Sequence, residues 1–574
     1  MTVATRGGGL AGAVAVLLIV AGACSEDFKA ASAAKAANTF ITAWNGRDAA
    51  AMLEAFDDKS AQQWTAPKLE RWLTRALQAG AVETYHFDIG SFEETEIESE
   101  DELSGARVRV PLDATYDSSA VPEPIRLDGS MNLVYQQGWK VEWDEGLMWP
   151  GIEGAAGFVV DLKDAIRGPI VDRNGKVLAR GQGSDRRYPY GSTGGSTIGH
   201  IAPVTKKEAK KGLSAGDFVG AAGLEEGLND VLTAAAATDL VVVDEAGEKL
   251  EVLGSKPAGR PEKVQVTLDI EMQRAAENAY GGTTGGAVVI EPATGDLLAI
   301  VSSAPFDPNN YVGVAGITPF NRALSGTYPP GSAMKVVTAS AALDTGTVKP
   351  TTTVTGPGNY KGVHNFDSGE FGSIPFSVAT QNSVNTAYAQ VAEDLGGKKL
   401  TEYAERFGFN KEPTMPLEAA TPSFPPPEDL SDLMWSAIGQ AQVLATPLQM
   451  ATIAATVANK GIRMEPRIVL DAPTQSEEVM TRKSARTMTE LMELVVRGGT
   501  GTAANLGTPS VAGKTGTAEV NVGGGILNHA WFICFAPSDD PEVAVAVVSE
   551  FGGVGGEVAA PLARQILQAV LPLT

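Results

Sequence analysis

Three features of the sequence predict a multidomain α+β protein whose C-terminal part is a five-stranded, mainly antiparallel sheet between helices. Two stretches, "GAVVIEPATGDLLAIVSS" and "HAWFICFAPSDDPEVAVAVVSE", each read as a pair of apolar strands joined by a turn rich in Pro, Gly, Ser or Asp. Near the front, the alanine-rich helical pattern "AAKAANTFITAWNGRDAAAMLEAF" gives way to alternating strands such as "ARVRVPLDATY" and "WKVEW". Between these regions the Gly, Pro and Lys of "GSKPAGRPEK" suit a linker. At about 150 residues per domain, 574 residues imply three or four domains.

The first residues read as targeting rather than structure. A 14-residue apolar run, Leu10 to Ala23, follows Arg6 and ends before Cys24. That suits a signal segment over 1–23 and is short for a membrane span of about 20 residues. "AGAC" resembles the lipobox of exported lipoproteins, which implies a lipid on Cys24, a lipid-anchored start at 24–26 and a location on the outer face of the cytoplasmic membrane. Ala21 departs from the Leu or Val that this pattern prefers, so a single uncleaved N-terminal signal anchor stays as the alternative.

Residues 27–150 form the first α+β domain, with Trp139, Trp143 and Trp149 assigned to its core and exit. A middle domain, 151–261, opens with "IRGPIVDRNGKVLARG", where Asn174-Gly175 suits a two-residue hairpin turn. The third domain, 262–574, takes "GKTGTAEV" as a middle strand between the two hairpins. Its last helix, "AAPLARQILQAVL", covers one face of the sheet and a helical insert the other.

Charge and composition exclude several function classes. The net charge is −24, and Glu93 to Glu102 holds seven acids in ten residues, so nucleic acid is not an expected partner. The alternation within that run reads as a solvated strand edge. The four histidines are scattered without paired ligand spacing, and no metal or cofactor is expected. Cys534 lies in the apolar "AWFICFAP" and reads as a buried inert thiol.

Three short polar motifs then fall in one domain. In "YPPGSAMKVVTASAALD", Ser332 and Lys335 stand three apart at a helix mouth, a spacing that puts a nucleophile and a base on one face. Alone it decides nothing: Ser32 and Lys35 share the spacing, and a cap with a solvated lysine is the ordinary reading. "QNSVNTAYAQ" sets Ser383 and Asn385 ahead of another helix, although Ser130 and Asn132 match that pattern too. "VAGKTGTAEV" sets Lys514, Thr515, Gly516 and Thr517 on a strand. Five residues separate Gly507 from Gly513 where a phosphate loop has four, and a strand follows, so nucleotide binding is rejected.

With S-x-x-K, S-x-N and K-T-G in this order, the chain resembles the penicillin-binding transpeptidases. "RGPIVDRNGKVLA" and "GAAGLEEGLND" look like the elongated, dimerisation-like middle domain of the class B enzymes. Residues 27 to 150 look like the N-terminal domain of the methicillin-resistance type, a cone-like, nuclear-transport-factor-like fold. The resemblance implies a peptidoglycan D,D-transpeptidase that forms an acyl-enzyme on Ser332. Its partners would be stem peptides, β-lactams, the cell membrane through the lipid anchor and a glycosyltransferase of the wall machinery. Lys335 would act as the base once burial among Met334, Val336 and Val337 and the charge of Lys514 remove its proton. Lys514, Thr515 and Thr517 would hold the substrate carboxylate, Gly516 would admit its backbone, Ser383 would relay a proton, and Asn385 would hold Lys335 and the substrate amide. The N–H groups of Ser332 and Thr517 would hold the oxyanion. Val384 departs from the Asp found in related hydrolases. The alternatives are a D,D-carboxypeptidase or β-lactamase on the same fold, and a non-catalytic β-lactam sensor or wall scaffold. Of the candidate water-activating glutamates, Glu412, Glu418 and Glu428, none has the asparagine four residues on that class A hydrolases carry.

Overall fold

The computed structural model describes residues 32–92, 104–163, 166–204, 217–234 and 236–574. The predicted signal segment, Cys24 and the acidic run lie outside the described residues. The described residues pack as two compact units, one drawn from 32–163 and 236–260, the other from 166–234 and 261–574.

In the first unit, helix α1 (Ala33–Asn45) is capped by the Ser32 hydroxyl, which accepts from the Lys35 N–H. That pair is therefore a cap. Phe40, Ile41 and Trp44 form its buried stripe, and helix α2 (Ala66–Ala79) buries Leu69, Leu73 and Leu77 at steps of four. An antiparallel sheet follows in the order β1 (Val82–Ile89), β2 (Arg107–Ser118), β3 (Ile125–Tyr135), β4 (Trp139–Val141). Strand β2 sends Val108, Val110, Leu112, Ala114 and Tyr116 inward at period two. The three tryptophans assigned to the core are buried, and Trp44 stacks on Phe87 at 3.8 Å between ring centres. Ser130 sits on β3 and accepts from the Arg109 guanidinium.

The residues expected to form one middle domain, 151–261, divide between the units. Strand β5 (Gly157–Leu162) pairs with β6 (Thr238–Val243), which pairs with β7 (Lys249–Lys256), and Leu240, Val242 and Phe158 enter the tryptophan core of the first unit. The described residues of 166–234 belong to the second unit and send Leu224, Leu228 and Leu232 into its core. There the Glu225 carboxylate, fully buried, takes the guanidinium groups of Arg167 and Arg186 at 2.7 Å each. The Asn174-Gly175 turn joins the paired stretches Ile170–Val171 and Val177–Ala179 as expected.

The second unit is built on the five-stranded sheet. Its order is β9 (Leu297–Ser302), β8 (Gly285–Ile290), β12 (Val543–Ser549), β11 (Gly525–Ala536), β10 (Ala512–Val522), and every pairing is antiparallel. The predicted five strands and their hairpins are present. One position differs: β10, which carries Lys514 to Thr517, is an edge strand rather than a middle one. Helix α3 (Ile270–Tyr280) and the last helix, α7 (Ala559–Val570), cover one face, where Cys534 is buried with them. Burial pushes that thiol well above its ordinary range, which makes it inert. The other face is covered by the insert, chiefly by α6 (Pro447–Ala458), all twelve of whose residues are buried.

Candidate active site

Two prolines and a glycine steer the chain into Ser332. The Trp531 indole N–H donates to Pro329 O at 2.9 Å, and the Gly331 N–H donates to Gly439 O at 2.9 Å. Gly331 has φ +51°, and a Cβ there would lie 2.4 Å from Thr517 O. Only glycine lets this turn approach the strand, and the approach sets Ser332 against Thr517 on the free side of β10. Residues Gly331–Met334 form a 3₁₀ turn and Lys335 begins helix α4 (Lys335–Asp344), so Ser332 and Lys335 share a face as their spacing requires.

Lys335 is fully buried, as is Lys514. Its amine lies 2.7 Å from Ser383 O, 2.6 Å from Asn385 Oδ1 and 3.2 Å from Ser383 Oγ, with the Tyr388 ring centre at 5.2 Å. The Lys514 amine donates to Ser383 Oγ at 2.8 Å and to Thr515 O at 3.0 Å. The Ser383 hydroxyl thus stands between two buried amines. Burial, and after it the charge of Lys514, holds the Lys335 amine well below the ordinary lysine range. Burial alone lowers Lys514 to about 7.

Among the described residues, no hydrogen bond joins Ser332 to Lys335, although their spacing had suggested one. A neutral amine has two N–H bonds and one lone pair, and the two nearest partners, Ser383 O and Asn385 Oδ1, are acceptors that use both N–H groups. The lone pair is left for a hydroxyl.

Ser383 is positioned by backbone strain. It has φ +56°, a left-handed conformation that costs a non-glycine residue of order 1 kcal/mol or more. The Ser383 and Val384 N–H groups donate to Thr380 O and Ala379 O, closing the helix Phe376–Gln381 and aiming both Ser383 oxygens at the lysines. Val384, at the position of the hydrolase Asp, is buried in the core. Asn385 begins helix α5 (Asn385–Leu395), and its Nδ2 donates to His364 O at 2.9 Å, so both ends of the amide are held by the protein.

On β10, Thr515 shares a 2.7 Å hydrogen bond with Thr500, and Thr517 Oγ1 accepts from the Gly555 N–H at 3.1 Å. Gly516 has a different reason from the one expected. A Cβ there would meet Pro330 O at 2.6 Å and Trp531 Cβ at 2.9 Å, so the space is filled by the serine's own turn rather than left for substrate.

These residues open into a cleft of about 740 Å³. Ser332, Ser383, Asn385, Thr515 and Thr517 line it, with Lys335 and Lys514 just beneath through their bonds to Ser383. The structure therefore gathers every predicted site residue that lies among the described residues. Sequence reading missed Thr500, Trp435, Phe366, Phe371, Glu519 and Glu557, which also line the cleft. Glu519 was within reach, two residues past Thr517 on one face of a strand; the others come from loops, a 3₁₀ turn and the short helix Leu430–Ser436, with no local signal. His364 also lines the cleft, its ring packed on Trp435 at 5.7 Å. Glu412 and Glu418 line other depressions.

Residues 285–568 match the penicillin binding protein transpeptidase domain family, and residues 181–266 match the penicillin-binding protein dimerisation domain family. The chain is 35% identical over 366 residues to the peptidoglycan D,D-transpeptidase PbpA of Mycolicibacterium smegmatis, covering 55% of this chain and 74% of that protein. It is 30% identical over 442 residues to the peptidoglycan D,D-transpeptidase MrdA of Acinetobacter baumannii, covering 66% of this chain and 65% of the other. Among solved structures, Pseudomonas aeruginosa PBP2 in complex with WCK 5153 superposes with TM-score 0.61 at 28% identity, covering 71% of this chain and 96% of that one. PBPA from Mycobacterium tuberculosis does so with TM-score 0.58 at 30% identity, covering 71% and 98%.

Proposed function

The chain belongs to the class B penicillin-binding transpeptidases with a dimerisation domain, and from that premise we propose that it cross-links peptidoglycan stem peptides through an acyl-enzyme on Ser332. The observation that carries this reading is the Ser383 hydroxyl held between two buried amines at the edge of the cleft that Ser332 lines.

The Lys335 lone pair takes the Ser332 proton as Oγ attacks the carbonyl of the penultimate D-alanine. The oxyanion forms between the N–H groups of Ser332 and Thr517, each donor being worth about 2.7 to 4 kcal/mol in such sites. Lys514, Thr515 and the adjoining Thr500 hydroxyl hold the terminal carboxylate. As the carbon–nitrogen bond breaks, the proton passes from Lys335 through Ser383 to the leaving amine of D-alanine. An acceptor amine then attacks the ester carbonyl, a new amide forms, the bond to Ser332 Oγ breaks and the serine recovers a proton. β-Lactams acylate the same serine.

Export and anchoring belong to the proposal too: a lipid on Cys24 holds the body on the outer face of the cytoplasmic membrane, beside a glycosyltransferase of the wall machinery. The first unit takes the place of the methicillin-resistance-type N-terminal domain, a reading supported by its helices packed on a four-stranded antiparallel sheet. Among the described residues no helix is long and apolar enough to cross a membrane.

The test is the intact mass after addition of a fluorescent penicillin, with the labelled peptide mapped. One adduct on Ser332 is expected, none on Ser32, and none in Ser332→Ala. Labelling that survives in Ser332→Ala overturns the assignment.

A further inference from the structure

Strand β10 lines the cleft with Thr515, Thr517 and Glu519, alternate residues on one face, and its pairing with β11 runs without a break from Ala512 to Val522. A rise of about 3.4 Å per residue sets Glu519 about 7 Å beyond Thr517 and about 14 Å beyond Thr515. The strand therefore has a direction. At one end the Thr500 and Thr515 hydroxyls and the Lys514 amine form a donor-rich pocket. At the centre Gly331 brings Ser332 against Thr517. At the far end stands the Glu519 carboxylate, which is exposed and makes no hydrogen bond or ion pair among the described residues. Among the described residues, Glu557 is the other carboxylate lining the cleft, and no lysine or arginine lines its open wall.

A donor with its carboxylate at Thr515 and its scissile carbonyl at Ser332 must continue toward Glu519, because the opposite direction is closed by its own carboxylate. The residue that precedes the two terminal alanines then has its side chain at Glu519. We infer that Glu519 is a specificity-determining residue that selects donors carrying a free ammonium on that side chain, that is, a stem peptide with an unblocked diamino acid before the D-alanyl-D-alanine pair. The inference rests on the reading of Ser332 as the acylated serine. The carboxylate forms a charge-assisted hydrogen bond with the ammonium and offsets the repulsion that the Lys514 ammonium, when protonated, exerts on a cationic donor.

The experiment uses the full chain and two probes: Nα-acetyl-Lys-D-Ala-D-Ala and the same peptide with its side-chain amine also acetylated. Each is tested as a competitor of fluorescent-penicillin labelling of Ser332, a readout that needs binding and not turnover. The free-amine peptide is expected to compete about fivefold better, the scale of a solvent-accessible ion pair. The ratio falls to about one in Glu519→Gln, inverts in Glu519→Lys, and persists in Glu557→Gln. Equal competition or none in the unmodified protein, a ratio kept in Glu519→Gln, or a ratio lost in Glu557→Gln overturns the inference while labelled Ser332 leaves the proposed function standing. A protein that never labels at Ser332 overturns both.

Discussion

Replacing Lys514 by methionine tests whether the second amine sets the charge of the first. Both amines contact Ser383 Oγ, at 3.2 Å from Lys335 and 2.8 Å from Lys514, so they lie about 6 Å apart at most. At an effective dielectric of about 20, two unit charges at that distance repel by roughly 3 kcal/mol. Lys514→Met removes the repulsion, the Lys335 ammonium becomes more stable by up to that amount, and the neutral base becomes scarcer. A base must be deprotonated to act, so the rate rises with pH through its titration, and the variant needs a higher pH to reach its plateau. Because Lys514 is lowered to about 7, its charge is present mainly below that pH, and the effect is largest there. Penicillin acylation of Ser332 by Lys514→Met should fall up to about 100-fold near pH 6, at about 1.36 kcal/mol per decade, and the deficit should narrow as pH rises. The assay is the second-order acylation rate by stopped-flow fluorescence from pH 5.5 to 9.5. A deficit that stays constant across this range would refute the electrostatic argument and leave Lys514 as a carboxylate anchor only.

Lys335→Arg keeps the charge in a group that does not deprotonate, so acylation should drop by orders of magnitude; a near-normal rate would mean that another group activates Ser332. Gly331→Ala puts a Cβ 2.4 Å from Thr517 O at a left-handed φ, and thermal unfolding should show a loss of about 1 to 3 kcal/mol with slower acylation, neither of which is expected if the turn merely tolerates glycine. The folded-state pKa of Lys514 lies below the unfolded value near 10.4, so the unfolded chain binds more protons between about pH 7 and 10.4 and the contribution of this group to stability rises with pH there. The melting-temperature difference between the unmodified protein and Lys514→Met should therefore shift in favour of the former from pH 6.5 to 9.5, and a flat difference would contradict the burial of the amine. The penicilloyl adduct on Ser332 should persist for many minutes in a mass time course, because Glu412 and Glu418 face other depressions; many turnovers per second would move the protein to the hydrolases.

The sequence by itself determined which serine, lysines and asparagine the fold gathers at one cleft, namely Ser332, Lys335, Ser383, Asn385 and Lys514, and the five strands of the sheet beneath it. These are local: a spacing of three on a helix mouth, an apolar run with a turn, a triplet on a strand. It also supplied the reason for a buried lysine, since Met334, Val336 and Val337 on either side of Lys335 leave it no path to water. What only the tertiary structure decided depends on atoms far apart in the chain. The place of β10 at the sheet edge follows from the Gly331 turn closing on Thr517, a contact across nearly two hundred residues. The meaning of Gly516 changed for the same reason, because what stands beside a glycine is invisible until the fold brings Pro330 and Trp531 to it. The division of residues 151–261 between two cores turned on which apolar faces found partners: Leu240 and Val242 met the tryptophans of the first unit, while Leu224, Leu228 and Leu232 met the second. Strain at Ser383 and the hydroxyl pair of Thr500 with Thr515 likewise have no sequence signature, since backbone angles and loop contacts are set by packing rather than by neighbours in the chain.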